Sequence, residues 1–390
     1  MKDMDQKAPA YFTAESCDIT EFAAHCAQSL DPQSVPLATE VISNVAVYDG
    51  ATLRPMMADP DQRRGLMAEW AHLLLHGSGA FVIRAAYADT GPIDAATALY
   101  SDIIAAEKAL GTAADHFAAA GANDRVWNSL QKLCMADPEV FARYFGNPLI
   151  EAACEAWLGP NFQMTAQVNL VRPGGAAQKA HRDYHLGFQT AEDCARYPAH
   201  VHDLSPVMTL QGGIAHCDMS VEAGPTKLLP FSQSYRPGYA AYRLPAFRDY
   251  FEEHFVQLPL FKGDAIFFNP ALFHAGGENR TADVQRFVNL LQVGSAMGRT
   301  LENLDRDAMS RVLYPVLLAE LDGMTKAEVD AAISACAEGY PFPTNLDTDP
   351  PIGGLAPESM AALFRRALAE GMEAEAFNVA LDAIKLRQRA

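Results

Sequence analysis

The sequence predicts an α+β protein: a central β-sandwich wrapped by helices from both ends of the chain. Two observations carry this. Between about residues 161 and 295, short apolar runs are separated by clusters of Pro, Gly and Asp, which is the spacing of a sandwich or barrel rather than of parallel βαβ units. On both sides of that region, apolar residues recur at the three- and four-residue intervals of amphipathic helices. With 390 residues, 49% apolar and 20% charged, the chain can form one large domain with extensions or two domains of ordinary size.

Residues 1–60 read as an N-terminal extension, with one short helical pattern in DITEFAAHCAQSL and prolines after it. In the next segment Leu66, Trp70, Leu73 and Leu74 fall at helical spacing, and Gly77 and Gly79 stop the helix. AFVIRAAY follows as a compact strand, and PIDAATALYSDIIAAEKAL as a helix with Pro92 near its start. Residues 125–158 are helical through PEVFARYFG and PLIEAACEAWLG. The strand runs are FQMTAQVNLV, VMTLQGGIAHC, TKLLP, AIFFNP and RFVNLLQV. Beyond residue 300, DAMSRVLYPVLLAEL, KAEVDAAISACAEG and PESMAALFRRALAEGMEAEAFNVALDAIKL read as helices, broken by the Pro-rich YPFPTNLDTDPPIGG. The expected division is 1–60, a core domain over 61–300, and a helical extension over 301–390 that serves as a lid or a homodimer contact.

A formal charge of −18 argues against a protein built to hold nucleic acid or an anionic membrane. It leaves room for an anionic small molecule, since a few local arginines can serve one pocket. The seven cysteines form no CxxC pair and are odd in number, so a reducing compartment fits better than a disulfide framework or a zinc ribbon. MKDMDQKAPAYF lacks the basic start and apolar run of a signal peptide, and no uncharged apolar stretch approaches the roughly 20 residues of a membrane span. A cytoplasmic protein is the expectation.

The chemistry concentrates in KAHRDYHLGF, residues 179–188. On an extended strand, alternate side chains share a face, so His181, Asp183 and His185 would line one surface. An imidazole and a carboxylate side by side suit a metal, and two histidines with one carboxylate make the facial triad of non-haem Fe(II) oxygenases. A second stretch, FKGDAIFFNPALFHAGGENRTADVQRFVNLLQV, carries a lone histidine, His274, and opens its last strand with Arg286. An arginine beginning one face of an apolar strand needs a partner, either a structural carboxylate or a captured one, which its fork can hold bidentately.

The order His-x-Asp, distal His, then Arg about a dozen residues on resembles the Fe(II)/2-oxoglutarate-dependent oxygenases, and more closely the phytanoyl-CoA dioxygenase family. HCDMSVEAGPTKLLPFSQS, KGDAIFFNPALFHAGGENRT and the helix, glycine stop and AFVIR strand near residue 80 extend the resemblance over roughly 62–295. It implies a double-stranded β-helix (jelly-roll, cupin-like) core. It also implies the cofactors Fe(II), 2-oxoglutarate and O2, with decarboxylation to succinate and CO2 coupled to hydroxylation of a small molecule. His181, Asp183 and His274 become the metal ligands and catalytic centre, and Arg286 the anchor for the far carboxylate of 2-oxoglutarate. Related halogenases carry a small residue where Asp183 stands, so the carboxylate favours hydroxylation.

The chain departs from the family pattern twice. Pro230-Phe231-Ser232-Gln233 stands in place of Pro-Gly-Ser-His, and Ala275-Gly276-Gly277 lacks the serine that often helps hold the co-substrate. Another polar group must then substitute, or Arg286 must do more. Gln178 and Asn169 are candidate cofactor-binding donors. Arg182, Tyr184 and His185 are candidate substrate contacts, since a fourth protein ligand would leave too few open positions on the metal. Arg280 is expected in solvent, AHVHDL in a loop, His72 and His76 on a helix face, and His216 and Asp218 with a strand. The substrate is either an acyl-CoA, held by Arg172, Lys179 and Arg182, or a small polar metabolite. Two alternative readings are a sensor that binds metal and 2-oxoglutarate without catalysis, and a metal-dependent hydrolase or isomerase on the same fold.

Overall fold

The computed structural model describes residues 9–110, 123–321 and 323–390. Its strands, in chain order, are β1 (Glu40–Ile42), β2 (Val45–Asp49), β3 (Ala80–Arg84), β4 (Asn123–Val126), β5 (Gln163–Val171), β6 (Thr209–Ala215), β7 (Lys227–Leu229), β8 (Ala265–Phe268), β9 (Phe273–Ala275) and β10 (Arg286–Gly294). Eight of them form one sheet in the order β1-β2-β3-β8-β6-β10-β5-β4. Every neighbouring pair is antiparallel except β2 and β3. β7 and β9 make a second, short antiparallel sheet, continued by the single bridges His181↔His274 and Leu228↔Val256. The result is a mixed α+β protein with a large, mostly antiparallel sheet.

Strand alternation gives the large sheet two unlike faces. One buries Met164, Ala166, Val168 and Leu170 of β5, Phe287, Leu291 and Val293 of β10, and Phe267 of β8 in the main hydrophobic cluster. Helices cover this face. Trp70, on the helix Pro60–Leu75, stacks on Phe81 of β3 with ring centroids 4.9 Å apart. The C-terminal helices join the same cluster through Leu313, Ile333, Phe364 and Phe377.

The other face changes character along the sheet. Val45, Val47, Ala80, Val82, Ile266 and Phe268 form an apolar floor with Leu228 of the short sheet. Past β6 the register brings Gln211, Gln292, Thr165, Gln167, Asn169, Arg125 and Arg286 onto that same face. Buried polar side chains at this density need partners, and in a chamber between sheets a ligand can supply them.

Several elements differ from the sequence reading. β1 and β2 lie within the expected N-terminal extension yet supply two strands to the main sheet. β4 interrupts the stretch read as helical from residue 125. AHVHDL is helical, inside Ala199–Val207, because Pro198 supplies an extended cap before it. The 301–390 helices pack on the face away from His274 and Asp183, so they do not cover the site as a lid. The segment 340–354 is tied down at the chain's C-terminal end, where Asn345 and Thr348 donate to the Arg389 and Arg387 carbonyls.

Candidate metal centre

His181 and His274 are direct cross-strand partners. Each backbone N–H donates to the other's carbonyl, at 3.0 and 3.1 Å, and the rings lie 4.4 Å apart. Each ring also places Nδ1 on the carbonyl two residues earlier in its own chain, Lys179 at 2.9 Å and Leu272 at 2.8 Å. A carbonyl can only accept, so Nδ1 carries the proton and Nε2 keeps its lone pair. Both free Nε2 atoms face Asp183 Oδ2, at 3.8 and 3.4 Å. The three residues offer ligand atoms that all lie within 4.8 Å of one another. Neutral imidazoles with Nδ1 held by a carbonyl and one carboxylate are the donor set a divalent first-row metal takes, so the residues fit an iron.

The electrostatics agree. Burial opposes ionisation of Asp183, but positive charge at the His181 and His274 rings, which a bound cation would supply when the rings are neutral, and the Gln211 hydrogen bond outweigh it and hold the carboxyl down at about 2. Burial lowers the pKa of His181 and favours its neutral, ligating form. Gln211 Nε2 donates to Asp183 Oδ2 at 2.6 Å and Tyr239 Oη to the Asp183 backbone carbonyl at 3.0 Å, so the residue is held by its side chain and by its main chain.

Arg286, on β10, is buried and meets only neutral oxygens. It donates to the carbonyls of Gly224 and Gly277 (3.1 Å to the latter) and to Asn169 Oδ1 at 3.3 Å. Among the described residues it forms no ion pair, so the structural-carboxylate alternative is not what holds it. Burial, aided by the Arg125 guanidinium, brings its pKa down to about 10. Among the described residues, Asn169 Nδ2 beside it is buried without a partner. A guanidinium with no anion and an orphaned amide donor are the fittings an incoming carboxylate would use. Gly224 stands in the left-handed region at φ +74, where an added Cβ would meet the Glu278 carbonyl 2.3 Å away, so only glycine turns its carbonyl to Arg286 here.

Gln178 lies across Gly276. Its Oε1 accepts from the Gly276 N–H at 2.9 Å, and a Cβ at 276 would come within 3.0 Å of that oxygen. The carboxamide thus occupies the space of the missing family serine. Tyr184 and His185 line a cavity next to Asp183. His185 reaches it by leaving the expected strand: after the His181 bridge the chain turns, and His185 opens a short 3-10 helix at φ +47. Arg182 is a correction. Its guanidinium is buried on the carbonyls of Ser232 (2.6 Å) and Tyr235 (2.9 Å), between the rings of Tyr239 and Phe273, and is turned away from the site. Arg172 is engaged by Asp124, so with Arg182 buried the basic patch imagined for CoA phosphates does not assemble.

His202 is buried against the Cys194 carbonyl, Asp203 pairs with Arg236, and His200, His72, His76 and Arg280 are exposed, so none joins the centre. His216 faces the helical layer, on Thr97 and Tyr144, and Asp218 accepts from the Lys262 N–H. The sequence reading missed Gln211 and Arg125. Alternation along VMTLQGGIAHC could have placed Gln211 opposite the apolar core, but nothing local marks Arg125.

A model of the phytanoyl-CoA dioxygenase (PhyH) family matches residues 75–288. A dioxygenase, trt7, of Aspergillus terreus (strain NIH 2624 / FGSC A1156) is 30% identical over 128 residues, which is 33% of this chain and 39% of the relative. The matched part therefore spans well under half of that relative's length. Among solved structures, the non-heme alpha ketoglutarate dependent epimerase SnoN is 20% identical with a TM-score of 0.40, covering 61% of this chain and 84% of its own. The carbocyclase SnoK gives 17% and 0.43, over 62% and 89%. HygX from Streptomyces hygroscopicus, with nickel, 2-oxoglutarate and hygromycin B bound, gives 15% and 0.38, over 58% and 87%.

Proposed function

Since this chain belongs to the phytanoyl-CoA dioxygenase family, whose members use iron(II), 2-oxoglutarate and dioxygen, we propose that it hydroxylates a C–H bond of a small molecule. The observation that carries this reading is the pairing of a three-ligand cluster with a buried guanidinium that lacks an anion, on the same chamber. When bound, the iron with its co-substrates supplies the oxidising power for C–H cleavage, with release of succinate and CO2. The protein's residues do the rest. His181, Asp183 and His274 would hold the metal through two imidazole nitrogens and one carboxylate. Arg286 takes the far carboxylate of 2-oxoglutarate, with Asn169 Nδ2 as a second donor and Gln178 beside it. The apolar floor of Val82, Ile266 and Phe268 keeps water from that end of the chamber. A carboxylate at 183, rather than a small side chain, favours hydroxylation over halogenation. The two facing sheets support a double-stranded β-helix core, with residues 61–300 as the oxygenase domain.

The test is an anaerobic titration with Fe(II) and 2-oxoglutarate. A visible charge-transfer band should require both components and vanish in His274→Ala. In Arg286→Ala the half-saturating 2-oxoglutarate concentration should rise at least about tenfold, the loss of a hydrogen bond to a charged group. A band indifferent to both changes would count against the reading. Succinate formation stimulated by a metabolite separates an enzyme from a sensor.

A further inference from the structure

β10 lays out the chamber in order. Its chamber face carries Arg286, Val288, Leu290, Gln292 and Gly294. Arg286 stands at the start of the strand. Gln292 pairs with Gln211, which holds Asp183, and Gly294 at the far end pairs with Thr209. That end is about 25 Å along the strand from Arg286, beyond the reach of a five-carbon acid anchored there. A cavity of about 190 Å³ lies at the Thr209 end and opens to the surface. The metal centre thus has the co-substrate anchor towards one end of β10 and this cavity towards the other.

The walls are fitted for an anion on an apolar body. Among the described residues, Thr209 Oγ1 and His185 Nε2 are buried in them without a partner, and Thr209 is more than nine-tenths buried. Leaving such groups unmet costs stability, and a hydroxyl and an imidazole can each donate to an oxygen anion. Gly294 brings a cation to Thr209. A Cβ at 294 would lie 3.4 Å from Thr300 Cγ2 and 3.9 Å from the Arg299 carbonyl, so the Arg299–Thr300 turn folds back over the strand end that Thr209 pairs with. Arg299 is exposed in the cavity wall, and among the described residues its guanidinium makes no hydrogen bond or ion pair. No described Asp or Glu lines the cavity, although the chain has 48 acidic side chains against 30 Lys and Arg. A cationic ligand would therefore meet no counter-charge, and the several phosphates of a CoA would meet a single one. Phe188 and Leu301 add exposed apolar walls from two separate segments, the turn after His185 and the chain after β10.

We propose that this cavity receives the primary substrate, and that the substrate is a monocarboxylic acid with a compact apolar body. Its carboxylate accepts from Thr209 Oγ1 and faces the Arg299 guanidinium, and its body rests on Phe188 and Leu301. This deepens the oxygenase reading and rests on it. The volume holds one ring-sized group and falls short of the space a drug-sized ligand takes, so a CoA moiety would lie outside it. Arg299 sits in solvent at the cavity wall, so its attraction is weakened by water and salt, while the buried hydroxyl fixes where the acid group lies.

The experiment titrates four probes into the full chain by calorimetry: cyclohexanecarboxylate, its neutral amide, cyclohexylmethylammonium and octanoyl-CoA. Anaerobic Fe(II) and saturating 2-oxoglutarate are present, so that the Arg286 end is filled. The carboxylate should bind most tightly and lose affinity as salt rises. Arg299→Gln should weaken it about three- to fivefold, the worth of an exposed ion pair, remove most of that salt dependence and leave the amide unchanged. Thr209→Val should weaken it about fivefold, the worth of one ordinary hydrogen bond. Arg280→Gln, at an exposed arginine outside the cavity, should change nothing. The exposed Arg299 keeps the test open if Thr209→Val fails to fold. Absent carboxylate binding, tighter binding of the amide, the cation or the thioester, equal losses in Arg280→Gln and Arg299→Gln, or displacement of 2-oxoglutarate by the carboxylate would overturn the proposal. The Fe(II)/2-oxoglutarate band is read in the same samples. A band with no preference for the carboxylate defeats only the substrate class. Carboxylate binding that needs Arg299, without a band, defeats the oxygenase reading and leaves the acid site standing.

Discussion

Gln211 donates its side-chain amide to Asp183 Oδ2 over 2.6 Å, from a strand of the large sheet to a loop outside it. That bond fixes the rotation of the carboxylate, with the same Oδ2 toward both imidazoles, so the ligand's direction is set before any metal arrives. Groups that hold a ligand in this way are typically worth 10–100-fold in metal affinity. Gln211→Leu keeps the bulk and removes the amide. It is expected to weaken Fe(II) binding by about tenfold or more, with the fold intact. Competition against a fluorescent chelator measures it, and an unchanged affinity would show that Asp183 needs no such support.

His216 makes stability depend on pH from the opposite face of the sheet. Thr97 Oγ1 donates its one proton to the Ile93 carbonyl at 2.6 Å, so His216 Nδ1 must donate to Thr97, 2.7 Å away. Nε2 then accepts from Tyr144 Oη at 2.7 Å. The neutral ring is fully satisfied, and burial, with a smaller push from Lys262, drives its pKa down to about 3. The unfolded chain therefore binds a proton at a higher pH than the folded one. The contribution is complete above the ordinary histidine value near 6.5 and is lost progressively as pH falls toward about 3. Urea midpoints for wild type should fall between pH 7 and pH 5 by more than those of His216→Gln, whose side chain does not titrate. Parallel profiles would remove His216 as a source of the dependence.

Phe377, near the C-terminus, stacks on Tyr314 with centroids 3.9 Å apart and an interplanar angle of 7°, and meets Phe364 edge-on at 5.2 Å. Phe377→Ala should cost about 3–5 kcal/mol of stability in urea denaturation. It should leave Fe(II) and 2-oxoglutarate binding as they were, because this aromatic cluster lies across the large sheet from the centre. A selective loss of ligand binding would restore the idea of a C-terminal lid.

What was legible in the sequence follows from how locally each feature is encoded. His181 and Asp183 announce themselves within one tripeptide, and His274 with Arg286 within one strand-loop-strand unit. Gln211 and Arg125 become part of the chamber only through the register of β6 against β10 and of β4 against β5, which no local pattern carries. The direction of His185 hinges on a single backbone turn at φ +47, where strand alternation stops applying. The fate of Arg182 was hidden for a similar reason. A guanidinium between His181 and Asp183 reads as a substrate contact, yet two distant carbonyls and two rings enclose it. The C-terminal helices were visible as helices, but which side of the sheet they cover depends on contacts between Leu313, Phe364 and the far core.

The reciprocal backbone pairing of His181 with His274 ties metal uptake to correct assembly of the chain. A slip of one residue between these two segments would send one imidazole to the opposite side of the strand and take its Nε2 away from Asp183 Oδ2, which both rings now face. A molecule that takes up iron tightly is then one whose short sheet has paired in the right frame. Metal loading can accordingly serve as a quality check on refolded or mutant preparations, reporting on topology before any substrate is known.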